Sequence, residues 1–205
     1  MIDLRDVGVN VSRETSQRLD DYLQLLKKWN QSINLVGPTT LENASVRHFK
    51  DSAQLLDLAR HPIHRWVDMG SGAGFPGLVV AIILAQISPD TEVEMIESDM
   101  RKATFLRNVL RVTGITARVF SQRIETLDSR QADVLSARAL APLPQLLDFA
   151  SKHLSSNGYA LFQKGETWEK EVADAERRWH FAFTPHKSKT DANAVILEIG
   201  DLAHV

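Results

Sequence analysis

The sequence predicts an α/β fold in which a mostly parallel, seven-stranded sheet carries helices on both faces, with a helical extension at the N-terminus. From residue 65 onward, short apolar segments alternate with helical patterns, which is typical of parallel strands joined by crossover helices. The last two strand-like segments have no helix between them, so they are expected to pair antiparallel. Residues 1–60 carry only helical patterns.

The N-terminal extension is predicted to contain two helical stretches. The first covers residues 13–33, where apolar side chains recur at three- and four-residue spacings and therefore share one face. These side chains are Leu19, Tyr22, Leu23, Leu26, Trp29 and Ile33. Gly37 and Pro38 interrupt the pattern, and a second stretch follows Thr40 and ends before Pro62. We therefore divide the chain into an extension, residues 1–60, and an α/β domain, residues 61–205.

The α/β domain follows from the alternation of short and long apolar patterns. Strands are predicted at 66–69, 93–96, 117–120, 134–137, 159–163, 180–184 and 194–199. Helices are predicted at 76–86, 101–113, 143–154 and 168–178. Pro76 suits the first turn of the first of these helices, and Gly114 ends the second.

The composition excludes several classes of protein. The chain has 205 residues, of which 43% are hydrophobic, and this is enough apolar material for a full core. It contains no cysteine, so disulfides, thiolate metal sites and cysteine nucleophiles are excluded. Its net charge of −2 provides no overall basic field for nucleic acid. With no signal-like N-terminus and no apolar run of membrane-spanning length, the chain is expected to be soluble and cytoplasmic.

A glycine-rich loop is the strongest local signal. It runs from Asp68 to Gly77 and contains four glycines in eight residues, between the first strand and the first helix of the α/β domain. Such glycines let the backbone turn sharply and approach a ligand closely. In open α/β sheets, ligands bind beyond the carboxyl ends of the strands. The loop is therefore predicted to bind a ligand.

Three ligand classes compete for this loop. The spacing of a P-loop is present, but Leu78 and Val79 stand where lysine and Ser/Thr would be required. Residues 72–77 also match the G-x-G-x-x-G pattern of dinucleotide-binding proteins, and Glu97 would then hold the ribose hydroxyls. A NAD-dependent oxidoreductase is therefore an alternative function. A further alternative function is a nucleotide-binding regulatory module without catalysis. The third ligand class is S-adenosylmethionine.

S-adenosylmethionine is favoured over a dinucleotide for two reasons. A dehydrogenase normally adds a substrate domain, for which this chain has no room. Asp68 lies two residues before the first glycine and suits a cofactor that carries an amino group and no phosphate. Glu97 would serve the ribose of either cofactor.

Motifs along nearly the whole chain carry a resemblance to a known family. They are Lys28-Trp29-Asn30, Val46-Arg47-His48, the loop from Asp68 to Pro76-Gly77, Arg123-Ile124-Glu125, Ser136-x-Arg138 and Lys164-Gly165. In this order and spacing, the sequence resembles the small-subunit (16S) rRNA methyltransferase G family, also called the glucose-inhibited division protein B family. The resemblance implies a Rossmann-like class I methyltransferase fold that uses S-adenosylmethionine.

The resemblance also implies a reaction and a set of partners. Family members methylate N7 of one guanine in the decoding-region loop of 16S rRNA. Guanine N7 has a free lone pair at neutral pH, so an in-line displacement needs no general base, and we assign no catalytic residue. The expected substrate is 16S rRNA or a small-subunit assembly particle, and the expected protein is a monomer with no metal and no membrane contact.

The predicted site residues fall into two groups. For the cofactor, the resemblance gives Gly70, Phe75, Ile124, Glu125 and Arg138, and the loop argument adds Asp68, Gly72, Gly74 and Glu97. For the RNA, the resemblance gives Arg47, His48, Arg123 and Lys164, of which the arginines and the lysine would neutralise phosphates.

Overall fold

A computed structural model describes residues 2–205 and places all seven strands in one sheet, in the order β3-β2-β1-β4-β5-β7-β6. The strands are β1 (Arg65–Met69), β2 (Glu92–Ile96), β3 (Arg118–Phe120), β4 (Ala132–Arg138), β5 (Leu154–Lys164), β6 (Trp179–Lys187) and β7 (Val195–His204). Strands β1 to β5 run parallel, and β7 lies between β5 and β6, antiparallel to both. The predicted mostly parallel sheet with an antiparallel last pair is confirmed.

The strand order places a topological switch point beside β1. From β1 the chain winds outward to β2 and β3, and it then returns to add β4 on the other side. The loops that leave β1 and β4 therefore diverge, and a crevice opens between them at the carboxyl ends of the strands.

Helices cover both faces of the sheet. They are α1 (Arg13–Asn30), α2 (Pro38–Glu42), α3 (Asp51–Ala53), α4 (Gly77–Ile87), α5 (Met100–Thr113), α6 (Leu143–His153) and α7 (Trp168–Ala175). One face packs against α1, α4 and α5, and the other against α6 and α7. Successive strand residues alternate between the two faces: Trp66 belongs to the first cluster and Val67 to the second.

The most apolar helix, α4, is buried along eight of its eleven residues, from Gly77 to Leu84. It is far shorter than a bilayer is thick. Within residues 2–205, no helix combines the length and the apolar character that crossing a membrane requires.

After a 3₁₀ turn (Arg5–Val7), the extension contains one regular helix and one irregular helical segment. Helix α1 begins at the N-cap Ser12, whose hydroxyl accepts a hydrogen bond from the Thr15 amide at 3.1 Å. The second stretch is broken into α2, a π-helical turn (Ser45–Lys50), α3 and a 3₁₀ turn (Gln54–Asp57). The prediction of one continuous second helix is therefore wrong. Asn43, with φ −105° and ψ 27°, ends α2, and asparagine favours such positions because its side chain competes for backbone hydrogen bonds.

Helix α1 shares its core with the sheet. Its side chains Leu19, Tyr22 and Leu26 are fully buried in the same cluster as α4 and α5. The extension therefore has no hydrophobic core of its own that is separate from the α/β part. The division at residue 60 stays a prediction about sequence organisation.

Candidate active site

A cavity of about 680 Å³ lies at the carboxyl ends of β1, β2 and β4, at the switch point of the sheet. Most of the predicted site residues line it: Gly70, Gly72, Phe75, Glu97, Ile124, Glu125 and Arg138 from the cofactor group, and His48 and Arg123 from the RNA group. Asp68, Gly74, Arg47 and Lys164 are not among its lining residues. The fold thus gathers residues from five separate regions of the sequence.

Two glycines of the loop, Gly72 and Gly74, are required for different structural reasons. Gly72 (φ +55°) and Gly74 (φ +96°) both adopt backbone conformations that favour glycine. A Cβ on Gly72 would meet only the carbonyl oxygen of Gly70, at 3.8 Å, so this position is open. A Cβ on Gly74 would lie 2.3 Å from Cδ1 of Leu78 and 2.7 Å from the Tyr22 hydroxyl. Gly74 is therefore needed for packing behind the loop, and Gly72 for the loop's own shape beside the cavity.

Asp68 supports the loop from beneath. Its side chain is fully buried, and its two carboxylate oxygens accept hydrogen bonds from the Ser136 hydroxyl at 2.7 Å and from the Gly77 amide at 3.1 Å. Burial raises the pKa of Asp68 to about 6. This placement differs from the predicted direct contact with an amino group, because the carboxylate faces β4 and the start of α4 rather than the cavity.

Glu97 lies in the cavity wall at the end of β2 and is 7% exposed. Its Oε2 accepts a hydrogen bond from the Gly72 amide at 2.8 Å, and its Oε1 accepts one from the Asp99 amide at 2.7 Å. Because each carboxylate oxygen has two acceptor positions, two remain after these bonds are made. Glu97 thus holds the glycine loop and the start of α5 while keeping acceptor capacity toward the cavity.

Ile124 and Glu125 form a 3₁₀ turn (Ile124–Thr126) that the last turn of α6 holds in place. His153 donates from Nε2 to the Ile124 carbonyl at 3.1 Å, and Lys152 donates from Nζ to the Glu125 carbonyl at 2.7 Å. Burial lowers the pKa of His153, which favours its neutral form. Sequence reasoning missed both supporting residues, since a basic residue at a helix C-terminus is common for other reasons.

An aromatic group connects the extension to the loop. Phe75 stacks on Tyr22, with ring centroids 5.3 Å apart, and on His48, at 4.8 Å. The Tyr22 hydroxyl also donates a hydrogen bond to the Ala73 carbonyl inside the loop. From the sequence, Tyr22 was only one apolar position of an amphipathic helix, so its link to the loop was missed.

His48 is 7% exposed, and neither ring nitrogen has a hydrogen-bond partner among residues 2–205. Its pKa is lowered to about 4, mainly by burial and further by the positive charges of Arg138 and Arg47. The imidazole is therefore neutral at pH 7 and packs as an aromatic ring at the cavity edge. The structure thus places the predicted RNA-contact residue His48 at the cavity, as a neutral ring rather than as a cation.

Arg138 lies at the end of β4, where its Nη1 donates to the Arg47 carbonyl at 3.0 Å and to the Asp51 carboxylate at 3.3 Å. Asp51 also accepts hydrogen bonds from Gln54, Gln163 and Thr190. Burial raises the pKa of Asp51. Asp51, four residues after Arg47 in the chain, is not among the predicted site residues.

The predicted RNA-binding cations differ in accessibility. Lys164 is only 9% exposed in its side chain, pairs with Glu171 at 2.6 Å and donates to the Ala141 carbonyl. This arrangement does not offer Lys164 freely to a phosphate, because its ammonium group is already paired with Glu171. Arg47 is 51% exposed and pairs with Asp191. Arg123 lines the cavity, is exposed, and has no ion pair within the described part of the chain.

One further cation at the cavity was missed. Lys102, in the first turn of α5, lines the cavity, and its ammonium group has no ion pair within residues 2–205. Its place on the exposed side of an amphipathic helix gave no signal in the sequence. Across the same residues, no three His, Asp or Glu side chains are grouped in a metal-binding arrangement.

Two solved structures with this fold are described as S-adenosylmethionine-dependent methyltransferases. One from Aquifex aeolicus matches with a TM-score of 0.60 at 13% identity and covers 86% of this chain and 97% of its own. A TehB-like methyltransferase from Corynebacterium glutamicum matches with a TM-score of 0.59 at 12% identity, covering 88% and 98%. At these identities the likeness establishes the fold.

Sequence relatives establish the family. The family model described as rRNA small subunit methyltransferase G matches residues 15–195. A relative from Paracoccus denitrificans is 48% identical over 197 residues, which is 96% of this chain and 100% of the relative. Another from Ruegeria sp. is 47% identical over 200 residues, or 98% and 97%. Both carry the name ribosomal RNA small subunit methyltransferase G. The chain therefore belongs to the rRNA small subunit methyltransferase G family.

Proposed function

We propose that this protein transfers a methyl group from S-adenosylmethionine to N7 of a guanine in the decoding-region loop of 16S rRNA. The observation that carries the proposal is the family match over residues 15–195, together with relatives of the same name at 47–48% identity over nearly the whole chain. The cavity at the switch point of the sheet supplies a site of suitable size and chemistry.

The residues around the cavity fit S-adenosylmethionine. The Glu97 carboxylate, with two free acceptor positions, suits a ribose diol at the end of β2. Ile124 and Phe149 provide apolar surface for an adenine ring, and Glu125 lies beside them in the same wall. Gly72 allows close approach of the loop backbone. Buried Leu78 and Val79 occupy the positions where a P-loop would offer its lysine and hydroxyl to phosphates.

Arg138 suits the carboxylate end of the cofactor. Its guanidinium carries five N–H groups, and its hydrogen bonds within residues 2–205 all use Nη1. The N–H groups on Nε and Nη2 remain for ligands at the cavity. Asp68 contributes indirectly, since it fixes the backbone of the loop through Gly77.

The reaction requires that the methyl group and guanine N7 are held in line, and it requires no proton transfer. The cofactor supplies an electrophilic methyl group on a positively charged sulfur. A bond forms from the guanine N7 lone pair to the methyl carbon while the carbon–sulfur bond breaks, and the sulfur keeps that electron pair. Because N7 carries no proton, the protein needs to hold the two reactants in line rather than to supply a base.

The alternative function, that of a NAD-dependent oxidoreductase, is supported only by the G-x-G-x-x-G pattern of residues 72–77. The family match and the named relatives give it no support. Calorimetry with S-adenosylmethionine, its demethylated product and NADH compares the two directly. We expect micromolar-range binding of the first two ligands. Tight binding of NADH with no response to either of them would overturn the proposal.

The target position requires a separate experiment. Small-subunit particles or 16S rRNA from a strain lacking this protein should accept a labelled methyl group from the purified protein, and mapping should place N7-methylguanine in the decoding-region loop. Label at any other position would overturn the guanine-N7 assignment while leaving rRNA methylation intact. The exposed Arg123 and the half-buried Lys102 mark the side of the cavity where we place the incoming RNA. The proposal includes a monomeric enzyme in the cytoplasm, where ribosomal subunits are assembled.

A further inference from the structure

A second cavity, of about 330 Å³, adjoins the first at the carboxyl end of β5 and the start of β7. The two cavities share Arg138 and Ala139 as lining residues. Gln163 lies in the second cavity and is the register partner of Arg138 on the neighbouring parallel strand. Because directly paired residues on adjacent strands point to the same face, the two side chains lie next to each other.

Asp51 fixes both of these side chains. Its Oδ2 accepts from Gln163 Nε2 at 2.7 Å and from Arg138 Nη1 at 3.3 Å. Its Oδ1 accepts from Gln54 Nε2 at 2.8 Å and from the Thr190 hydroxyl at 2.9 Å. A carboxylate has about four acceptor positions, so Asp51 is saturated and is not itself available to a ligand.

These contacts determine which way the Gln163 amide faces. Its Nε2 donates to the Asp51 carboxylate and also to the Asp51 carbonyl, at 2.9 Å, so the amide nitrogen must stay on that side. The Oε1 atom is consequently turned away from Asp51. It is buried and has no hydrogen-bond partner among residues 2–205. A buried acceptor without a partner is unfavourable, and a ligand whose entry uncovers this atom and brings an N–H group to it would satisfy it.

We propose that the second cavity binds the target base, with Gln163 Oε1 accepting from guanine N1–H and Arg138 donating to guanine O6 through an N–H group that the cofactor carboxylate leaves free. This inference rests on the proposed function and adds the residues that select the base. On guanine, O6 and N1–H are neighbouring groups, as Arg138 and Gln163 are neighbours on the sheet. O6 also lies beside N7, so a base held in this way turns N7 toward the first cavity, where the methyl group is delivered.

This arrangement discriminates guanine from adenine. Adenine carries an amino donor at the position of O6 and an unprotonated acceptor at N1. The adenine amino donor would face Arg138, which has only donors. The adenine N1 acceptor would face Gln163 Oε1, which is only an acceptor, so neither pair can form a hydrogen bond. Sites that hydrogen-bond a substrate reject an analogue that leaves their buried polar groups unpaired.

The test uses RNA substrates that carry guanosine, inosine or 2-aminopurine at the target position, all of which retain N7. Inosine keeps both O6 and N1–H, so the wild-type protein should methylate it with a kcat/KM within about threefold of guanosine. 2-Aminopurine lacks both groups and should be worse by about 100-fold. Equal use of 2-aminopurine, or a loss with inosine as large as that with 2-aminopurine, would overturn the inference.

A matched pair of variants separates base recognition from stability. Gln163→Met keeps the length of the side chain and removes the acceptor, so the preference for guanosine over 2-aminopurine should shrink by about tenfold. Thr190→Val also removes a hydrogen bond to Asp51, but Thr190 does not line the cavity, so this preference should stay unchanged. The Kd for S-adenosylmethionine should stay within about twofold of wild type in both variants.

The outcomes also distinguish this inference from the proposed function. Normal methylation of guanosine by Gln163→Met with an undiminished preference would overturn the base subsite alone. Cofactor binding without any methylation of the guanosine substrate by the wild-type protein would overturn the proposed function, and the base subsite with it.

Discussion

At the residue scale, Glu97 combines a bond to the loop with a proposed contact to the cofactor. Glu97→Gln keeps the size and replaces one acceptor oxygen by a donor, so the variant loses both charge and one of the two backbone contacts. Hydrogen bonds to a charged acceptor contribute about 1.5–3 kcal/mol, so cofactor affinity should fall by about 10- to 100-fold. The ribose does not react, so the loss should appear mainly in KM for the cofactor.

Kinetics at saturating and limiting cofactor check this prediction. Glu92→Gln is the control, because it makes the same change at the opposite, exposed end of β2. A lower kcat with an unchanged KM in Glu97→Gln would mean that Glu97 acts on the chemical step, and the mechanism without a base would then be wrong.

The two loop glycines provide a matched pair of substitutions. Gly72→Ala and Gly74→Ala both place a side chain at positive φ, which costs about 1–2 kcal/mol. Gly74→Ala should lower the free energy of unfolding by clearly more, because its Cβ would collide with Leu78 and Tyr22. Gly72→Ala should remain folded and lose cofactor affinity, because its methyl group enters the space beside the cavity. Urea unfolding and cofactor titration of both variants test this, and equal stability of the two would contradict it.

His48 should make folding sensitive to pH. Its folded-state pKa of about 4 lies below the ordinary value of 6.5, so between these values the unfolded chain binds the proton and the folded chain does not. The free energy of unfolding should therefore fall as pH drops from about 6.5 to about 4. At pH 5, proton binding by His48 in the unfolded chain should lower the free energy of unfolding by on the order of 2 kcal/mol.

His48→Phe removes this dependence while keeping a ring against Phe75. Because neither ring nitrogen has a partner, the variant should lose no hydrogen bond and should be at least as stable as wild type at pH 7.5. Urea unfolding at pH 5 and pH 7.5 measures the difference, with the exposed His64→Phe as the control. If the free energy of unfolding changes between the two pH values by as much in His48→Phe as in wild type, His48 is not held neutral by burial.

At the element scale, helix α1 acts on the cofactor loop through one side chain. Tyr22→Phe keeps the stacking on Phe75 and removes the hydrogen bond to the Ala73 carbonyl. The loop should become less fixed, so the Kd for the cofactor should rise by about 3- to 10-fold, with a loss of about 1 kcal/mol in stability.

Tyr159→Phe is the matched control for α1. The Tyr159 hydroxyl accepts a hydrogen bond from the Arg60 amide, and the residue does not line the cofactor cavity. Loss of this hydrogen bond should reduce the free energy of unfolding by a similar amount and leave the cofactor affinity unchanged. The same rise in Kd for both variants would indicate a general effect of stability rather than a link between α1 and the loop.

At the scale of the whole molecule, the extension and the sheet are expected to fold as one unit. The buried face of α1 belongs to the cluster that holds α4 and α5, so removing residues 1–60 would expose that surface to water. The remaining fragment, residues 61–205, should not unfold cooperatively in urea, whereas the full chain should. A cooperative fragment that binds S-adenosylmethionine would contradict this and would make residue 60 a true domain boundary.

Much of the fold follows from the sequence by itself. Strands and helices of the α/β part were predicted close to their observed positions, because buried strands and amphipathic helices leave apolar patterns that are local in the chain. The glycine loop was predicted from glycine density and its place between a strand and a helix. The segment from residue 38 to residue 57 was the main error, since a π turn and a 3₁₀ turn leave the same apolar pattern as one helix.

Only the tertiary structure decided which polar groups face the cavity. Asp68 and Lys164 are residue types that a ligand site needs, yet Asp68 is bonded to Ser136 beneath the loop, and the Lys164 ammonium group is paired with Glu171 outside the first cavity. Tyr22 reaches Ala73 across 51 positions of the chain, and Asp51 reaches Gln163 across 112. A hydrogen bond between such distant positions depends on how the elements pack, and no local pattern in the sequence encodes it. The sequence determined which elements form and which family the chain resembles; the packing of those elements determined which side chains remain free to bind.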